Sequence, residues 1–424
     1  MTSPADIESA VRAGLAAVAA MPAVDEHWLE VYRHLHANPE LSGAEVATGR
    51  LVADELRAMP GWEVTKGIGG TGVVGMLSGG PGPVVWLRAD MDALPVQEET
   101  GLDYASRIPG VMHACGHDVH VTALLGACAR LAARPDLPGT IVAIFQPAEE
   151  TGFGARSMLD DGLLDRFPHP RIVLGQHVGP VPAGLLLSRG GVLMAASDSI
   201  RIELTGSGGH ASMPHAAVNP LTMAASLVQR LQGLAAQHSA LPSAPVLTPA
   251  ALHVGDRPNV IAEHAEMLLS LRTFTAGSRE TILKGVRRLA AAEAESAGAH
   301  KDPAIEIFDS FPVTVNSAAD TDRLLTTFAA NGFPAFPLPG PITGSEDFGA
   351  FATAANCASV FWYVGGFSAD RYTAEDWIGL HQEMALPAGT ASNHSPRFAP
   401  DPEQTLPPAI NAMVVAASSE LARS

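Results

Sequence analysis

Residues 112–120 read MHACGHDVH, which puts three histidines, a cysteine and an aspartate within nine positions. Side chains of these kinds are costly to bury without partners, yet they stand directly ahead of an apolar helical run. Cys115 and His117 lie two apart, and Gly116 between them permits a tight turn. That cluster points to a metal ion, and a metal ion needs further ligands from elsewhere in the chain.

Candidates follow several apolar runs. TIVAIF (140–145) leads into QPAEE, which ends in Glu149 and Glu150. RIVLG (171–175) leads into Gln176 and His177, and LRADMDALP carries Asp90 and Asp92 after a third apolar run. Late in the chain, Asn393-His394-Ser395-Pro396 lies in a stretch too rich in proline for a helix. Each of these has a plainer explanation. A lone histidine is usually a hydrogen-bonded structural residue, adjacent glutamates are usually on the surface, and aspartates after a strand often form Asx turns. Their shared position favours the metal, because open α/β sheets bind ligands at the carboxyl ends of their strands.

The elements that must position these residues have an α/β pattern. Residues 28–58 read as helical, broken at Asn38-Pro39, and strands follow at 72–77 and 83–89. A helix is expected over Val119–Ala133, with Asp118 as its N-cap. The runs at 140–145 and 171–175 are wholly apolar and rich in β-branched residues, as strands covered by helices on both faces are. From SIRIELT (199–205) the pattern changes to alternation. A helix at 219–238, two strands (VLTPAALHV and AEMLLSLRTF), a helix at 278–297 and the strand AIEIFDS (304–310) follow. That order is βαββαβ, the ferredoxin-like split βαβ unit. It predicts an inserted domain over 194–311, between the two parts of a first domain at 1–193 and 312–424. The α/β pattern resumes with a helix near 320–331, a strand at 359–365 and a helix from 407 on.

Bulk properties narrow the function classes. The chain has 424 residues, the length of two domains rather than one core. Its formal net charge of −18 repels phosphate backbones, which argues against nucleic acid and anionic membrane surfaces as partners. The cysteines Cys115, Cys128 and Cys357 do not make a disulfide scaffold and suit a reducing compartment, so a cytoplasmic location is expected. Ala13–Ala20 looks like a short signal core. However, Asp6 and Glu8 precede it, and Ile7, Val11, Leu15 and Val18 recur at helical spacing, so an amphipathic helix is predicted. No apolar run approaches the roughly 18–20 residues of a membrane span.

Taken in order, RHLHANPELSGAE (33–45), LRADMDALPVQEE, HACGHDVH, FQPAEE, GQHVGP, GSGGHASMPH (206–215), GSEDF and NHSPRF (393–398) resemble the M20 metallopeptidases. The resemblance is closest to the branch of N-acyl-amino-acid amidohydrolases that includes hippurate and auxin-conjugate hydrolases. It implies a zinc-exopeptidase-like catalytic domain carrying an inserted lid and dimerisation domain. It also implies two divalent metal ions per subunit, held by Cys115, His117, Glu150, His177 and His394. Cys115 stands where other branches use a bridging aspartate, and a metal-bound thiol is deprotonated outright. Zn, Mn, Co and Ni all remain open, although thiolate and imidazole are a softer set than Mn prefers.

By the same resemblance Glu149 is the general base, and Asp92 orients a ligand. Asp90 occupies a position where other branches have a metal-binding histidine. Asp118 and His120 are candidates for supporting the ligands. His210, in the inserted domain, stabilises the oxyanion across a dimer, while Asn259 and Arg272 fall where relatives hold the substrate carboxylate. Arginine offers that group a bidentate fork. Two positions depart from the family pattern: Asn219 precedes Pro220 where aspartate is usual, and Thr343 precedes Gly344. The implied activity is hydrolysis of an N-acyl amino acid to a carboxylate and a free amino acid. A dipeptidase or an aminobenzoyl-glutamate hydrolase could use the same site. A non-catalytic binding protein of this fold would have lost Glu149 or a ligand, and the sequence retains them all.

Overall fold

A computed structural model of the chain describes residues 4–238, 244–373, 375–376, 379–380 and 385–423. The chain divides into two compact units. One comprises Met1–Leu193, Val315–Gly340 and Asp347–Ser424, and the other Met194–Thr314 with Pro341–Glu346.

The first unit is an α/β structure. Its early elements are α1 (Pro4–Ala19), α2 (Glu26–Ala37), α3 (Val46–Ala58), β1 (Trp62–Ile68), β2 (Gly72–Ser78) and β3 (Gly80–Asp90). Then come α4 (His117–Ala132), β4 (Pro138–Gln146) and β5 (Ile172–Pro182). The eight-stranded sheet runs β1-β2-β4-β3-β5 and continues through Ala358–Phe367, Leu186–Ser188 and Ala335–Pro337. β3 lies parallel to both β4 and β5, so the carboxyl ends of these three neighbours share one edge. Their apolar runs are buried on both faces, as the lack of alternation predicted. α4 and the last helix, Pro402–Leu421, pack against each other, and α2 and α3 also pack on α4.

Three sequence expectations need correction. α4 begins at His117 rather than Val119, and its N-cap is Gly116, not Asp118. Gly116 has φ 84°, and a Cβ there would meet Val178 Cγ1 at 2.3 Å, so only glycine lets the helix start directly behind Cys115. Asp118 lies in the first turn instead, and its Oδ1 accepts the Val119 N–H at 2.9 Å. β5 extends to Pro182, which puts His177 inside a strand rather than beyond its end. The last helix starts at Pro402, five residues before 407, because Asp401 caps it by accepting the N–H groups of Glu403 and Gln404. Pro407 and Pro408 are buried within that helix, where packing outweighs their missing donors.

The second unit is built from the strand Ala196–Thr205, the helix Pro220–Gln237, the strands Val246–His253 and His264–Thr273, the helix Ala276–Ser296 and the strand Ala304–Phe311. Its sheet is antiparallel, in the order Val246–His253, His264–Thr273, Ala196–Thr205, Ala304–Phe311. Ile200, Ile202, Leu204, Met267, Leu269 and Leu271 are buried with the helices, while the alternate positions Arg201, Glu203 and Glu266 are not. Asn219 takes the N-cap role that an aspartate would have, accepting the Leu221 N–H at 3.0 Å ahead of Pro220.

Candidate metal centre

The shared edge of β3, β4 and β5 brings the candidate residues together. β3 ends at Asp90 and is followed by Asp92; β4 is followed by Glu149 and Glu150; β5 supplies His177; and the turn into α4 supplies Cys115 and His117. His394 reaches the same place in a left-handed conformation (φ 70°), its N–H bonded to the Ala114 carbonyl at 2.8 Å. The Asn393 side chain secures that segment by donating to the carbonyls of Cys115 and Val178, both at 3.1 Å.

Among the described residues, five groups of donor atoms result, the atoms within each lying within 4.8 Å of one another, and two of them contain Cys115: one with His117 and His177, the other with Glu150 and His394. Cys115 Sγ is 3.5 Å from His177 Nε2, and Glu150 Oε2 is 3.4 Å from His394 Nε2. The thiol therefore belongs to both groups, the arrangement a bridging ligand requires.

The protonation pattern suits ligation. His177 Nδ1 bonds the Val178 carbonyl at 2.8 Å, so Nδ1 carries the hydrogen and Nε2 is free to face the thiol. Burial and the neighbouring His120 hold the His177 pKa well below its usual value. His120 itself is spoken for, with Nε2 accepting the Val178 N–H at 2.7 Å and Nδ1 donating to Asp90 Oδ1 at 2.5 Å. The other oxygen of Asp90 receives Arg88 Nη1 at 2.6 Å. Arg88 is buried and also donates to Gln146 Oε1 at 2.7 Å and Asp347 Oδ1 at 3.2 Å. Burial opposes the charge of Asp90, yet Arg88, His117 and His120 keep its carboxyl well below the usual range.

Around His117 the satisfaction is incomplete. Its Nδ1 lies 3.3 Å from Asp92 Oδ1, and its Nε2 lies 3.7 Å from Asp90 Oδ2, 3.7 Å from Glu150 Oε1 and 4.0 Å from Glu149 Oε2. These are ion-pair distances without the alignment of a hydrogen bond. Both nitrogens of His117, Asp92 Oδ1 and Glu150 Oε1 are buried polar atoms without a hydrogen-bond partner, as are both nitrogens of nearby His113. Burial works against a charge on His117, but Asp90, Asp92 and Glu150 push its pKa up to about 10. The thiol of Cys115 is raised by burial and by Glu150, Glu149 and Asp90. An excess of buried acid and thiol, with unpaired donor atoms aimed inward, fits a divalent cation, which reverses that balance.

The remaining candidates lie in the second unit. His210 and Asn259 line one open groove of about 570 Å³, beside the short ladder that pairs Gly209–His210 with Val260–Ile261. His210 Nδ1 accepts the Ser212 N–H at 3.1 Å, which leaves Nε2 as the donor on an exposed ring. Arg272 is half-buried on the strand His264–Thr273 and donates to Ser345 Oγ at 2.6 Å.

Residues 86–391 match peptidase family M20/M25/M40. The chain belongs to this family. It is 35% identical over 347 residues to thermostable carboxypeptidase 2 of Saccharolobus solfataricus, covering 80% of this chain and 86% of that protein. It is 37% identical over 346 residues to the hippurate hydrolase of Campylobacter jejuni, covering 78% and 87%. A dinuclear metal-binding M20 peptidase from Bacillus subtilis superposes with a TM-score of 0.74 at 29% identity, over 93% of this chain and 98% of that one. The protein is thus a metal-dependent amidohydrolase or peptidase of the M20 family, on its amidohydrolase branch. Among the described residues, no helix is long and apolar enough to cross a membrane.

Sequence reasoning assigned no role to His36, Glu45, Arg88, Gln146 or Asp347, all buried and all polar. All five lie inside quoted motifs, so the family signature was the available signal.

Proposed function

We propose that the protein hydrolyses the amide bond of N-acyl amino acids, such as N-acetyl or N-benzoyl derivatives, giving a carboxylate and a free amino acid. The observation that carries this is the membership of Cys115 in both donor groups, with Glu149 beside them. Cys115, His117, Glu150, His177 and His394 would hold two divalent ions, and Asp92 would orient His117. Bound ions of this kind acidify water and polarise the amide carbonyl. Glu149 takes the proton of the attacking water and delivers it to the departing amine. His210 of a second copy donates to the developing oxyanion, and Asn259 and Arg272 receive the substrate carboxylate. The second unit then acts as lid and dimerisation domain. The three cysteines are unpaired, which agrees with a cytoplasmic location.

The likeness to a carboxypeptidase supports a second reading, a peptide substrate on the same site. A panel of hippurate, N-acetyl-methionine and dipeptides, assayed for free amine with and without chelator and after reconstitution with Zn, Mn, Co or Ni, separates the two. Chelator-insensitive release would sink both. The dimer has its own test. His210→Ala and Glu149→Ala should each be nearly inactive, while random re-association should restore about a quarter of wild-type activity, since one site of each mixed dimer is complete. Mixed dimers that form and stay inactive would remove His210 from the partner's site.

A further inference from the structure

The turn that presents Glu149 is held in an unfavourable backbone conformation. Ala148, immediately before it, has φ 50°, a left-handed value that a residue with a Cβ rarely adopts. Such conformations persist when their surroundings over-determine them, and they gather at functional sites.

What fixes Ala148 is Glu45, 103 positions earlier. Its Oε1 accepts the Ala148 N–H at 2.8 Å and the Gly43 N–H at 2.8 Å, and its Oε2 accepts the Thr71 hydroxyl at 2.5 Å. The carboxylate is fully buried. Glu45 stands at the N-cap position of α3, yet its side chain makes no capping bond there. It spends its oxygens on the turn instead. The other side of Glu149 is held in a matching way. The Glu150 N–H donates to Asp92 Oδ2 at 3.0 Å, and that oxygen also receives the Ser42 hydroxyl at 2.6 Å. The carbonyl of Ala148 is also engaged, by the Gly154 N–H at 3.0 Å and the Thr151 hydroxyl at 3.1 Å. Buried carboxylates thus fix the amides on both sides of Glu149, and the segment Ser42–Glu45 contributes to both.

We infer that Glu45 is a positioning residue for the reaction: its buried carboxylate pins the left-handed Ala148 and so aims the Glu149 carboxylate. This rests on Glu149 being the general base. Misplacing a reacting group by about 1 Å costs roughly 100-fold in rate, so the aim of this turn should appear in turnover rather than in binding.

The test compares Glu45→Met, Glu45→Gln, Ala148→Gly in the Glu45→Met background, and Glu149→Gln, each with kcat, KM, bound metal and thermal unfolding measured on the holoenzyme. Glu45→Met should lower kcat about 10- to 100-fold, with KM within about 2-fold and metal content unchanged. Glu45→Gln should recover most of the loss, because its amide oxygen can accept the same N–H groups and its NH₂ can donate to Thr71 Oγ1. Ala148→Gly should also recover part of it, because glycine holds a left-handed φ without help; a merely structural role for Glu45 would not respond to a change at Ala148. Normal kcat in Glu45→Met, loss of metal there, or no recovery from Ala148→Gly would each overturn the inference. If Glu45→Met does not fold, Ala148→Val with Glu45 intact takes its place. A β-branched residue strains the same φ, and kcat should fall with KM and metal unchanged, whereas a normal kcat overturns the inference. Full turnover in Glu149→Gln would instead bring down the base assignment. An inactive Glu149→Gln beside a normal Glu45→Met refutes only the role of Glu45.

Discussion

His36 and His117 are both buried among carboxylates, but only one of them is complete. His36 Nδ1 meets Asp118 Oδ2 at 2.6 Å, and its Nε2 meets Glu98 Oε1 at 3.1 Å, so each nitrogen has an aligned partner. His117 has carboxylates at 3.3 to 4.0 Å and no aligned bond to any of them. Burial opposes the charge in both cases, and the neighbouring acids overcome it, raising His36 to about 9 and His117 to about 10. Similar electrostatics therefore accompany opposite geometries. A closed set of hydrogen bonds marks an ion cluster that holds the fold, while surplus acid at loose distances marks a place built for a cation. The two meet at Asp118, which partners His36 and follows His117 in the chain.

The comparison can be broken from either side. The largest effect should come from Cys115→Ala or His117→Ala. Metal content measured by atomic emission should fall along with turnover, and by more than the roughly 10–100-fold typical of groups that only orient a ligand. Full metal occupancy with normal turnover in either variant would mean that the loose cluster is not the cation site. Asp92→Asn should be milder, weakening metal affinity about 10- to 100-fold, with activity returning in excess metal. His36→Asn should affect catalysis least. It should keep its metal and most of its turnover but lose about 3–5 kcal/mol of stability, as when one partner of a buried ion pair is removed.

The loss in His36→Asn should depend on pH. The folded pKa of His36 is raised from 6.5 to about 9, so its contribution is fully present below about pH 6.5 and is lost as pH rises through about 9. The gap in melting temperature between wild type and His36→Asn should therefore be wide at pH 6 and narrow above pH 9. If His36→Asn instead loses metal as completely as His117→Ala, the two clusters are not separate.

The convergence of the candidate residues was legible in the sequence because residue types and strand runs are local. HACGHDVH, QPAEE and the apolar runs before Asp90, Glu149 and His177 can each be read within a dozen positions, and parallel neighbours then bring their ends together. What stayed hidden was long-range pairing. His36 finds Asp118 across 82 positions, Gln146 finds Asp347 across 201, and Arg88 finds Asp347 across 259, separations that carry no periodic signal. The helix cap was misassigned because aspartate is a good N-cap in general, whereas here the close approach of Val178 demands glycine two residues earlier. The left-handed turn before Glu149 gave no warning either, since the residue that adopts it is alanine.

The strap formed by Asn393 gives the centre a place in time as well as in space. It joins Cys115 across 278 positions and Val178 across 215, and the whole of the Met194–Thr314 unit lies in the chain between them. The entropy of closing so long a loop grows only logarithmically with its length, but it must be met before contacts this distant can stabilise the chain. Until they form, His394 cannot face Glu150 and the second donor group lacks a member. If these two donor groups hold the metal as proposed, capture of the full complement should be a late step, and a refolding chain that has acquired it should already have brought together segments from both sides of the inserted unit.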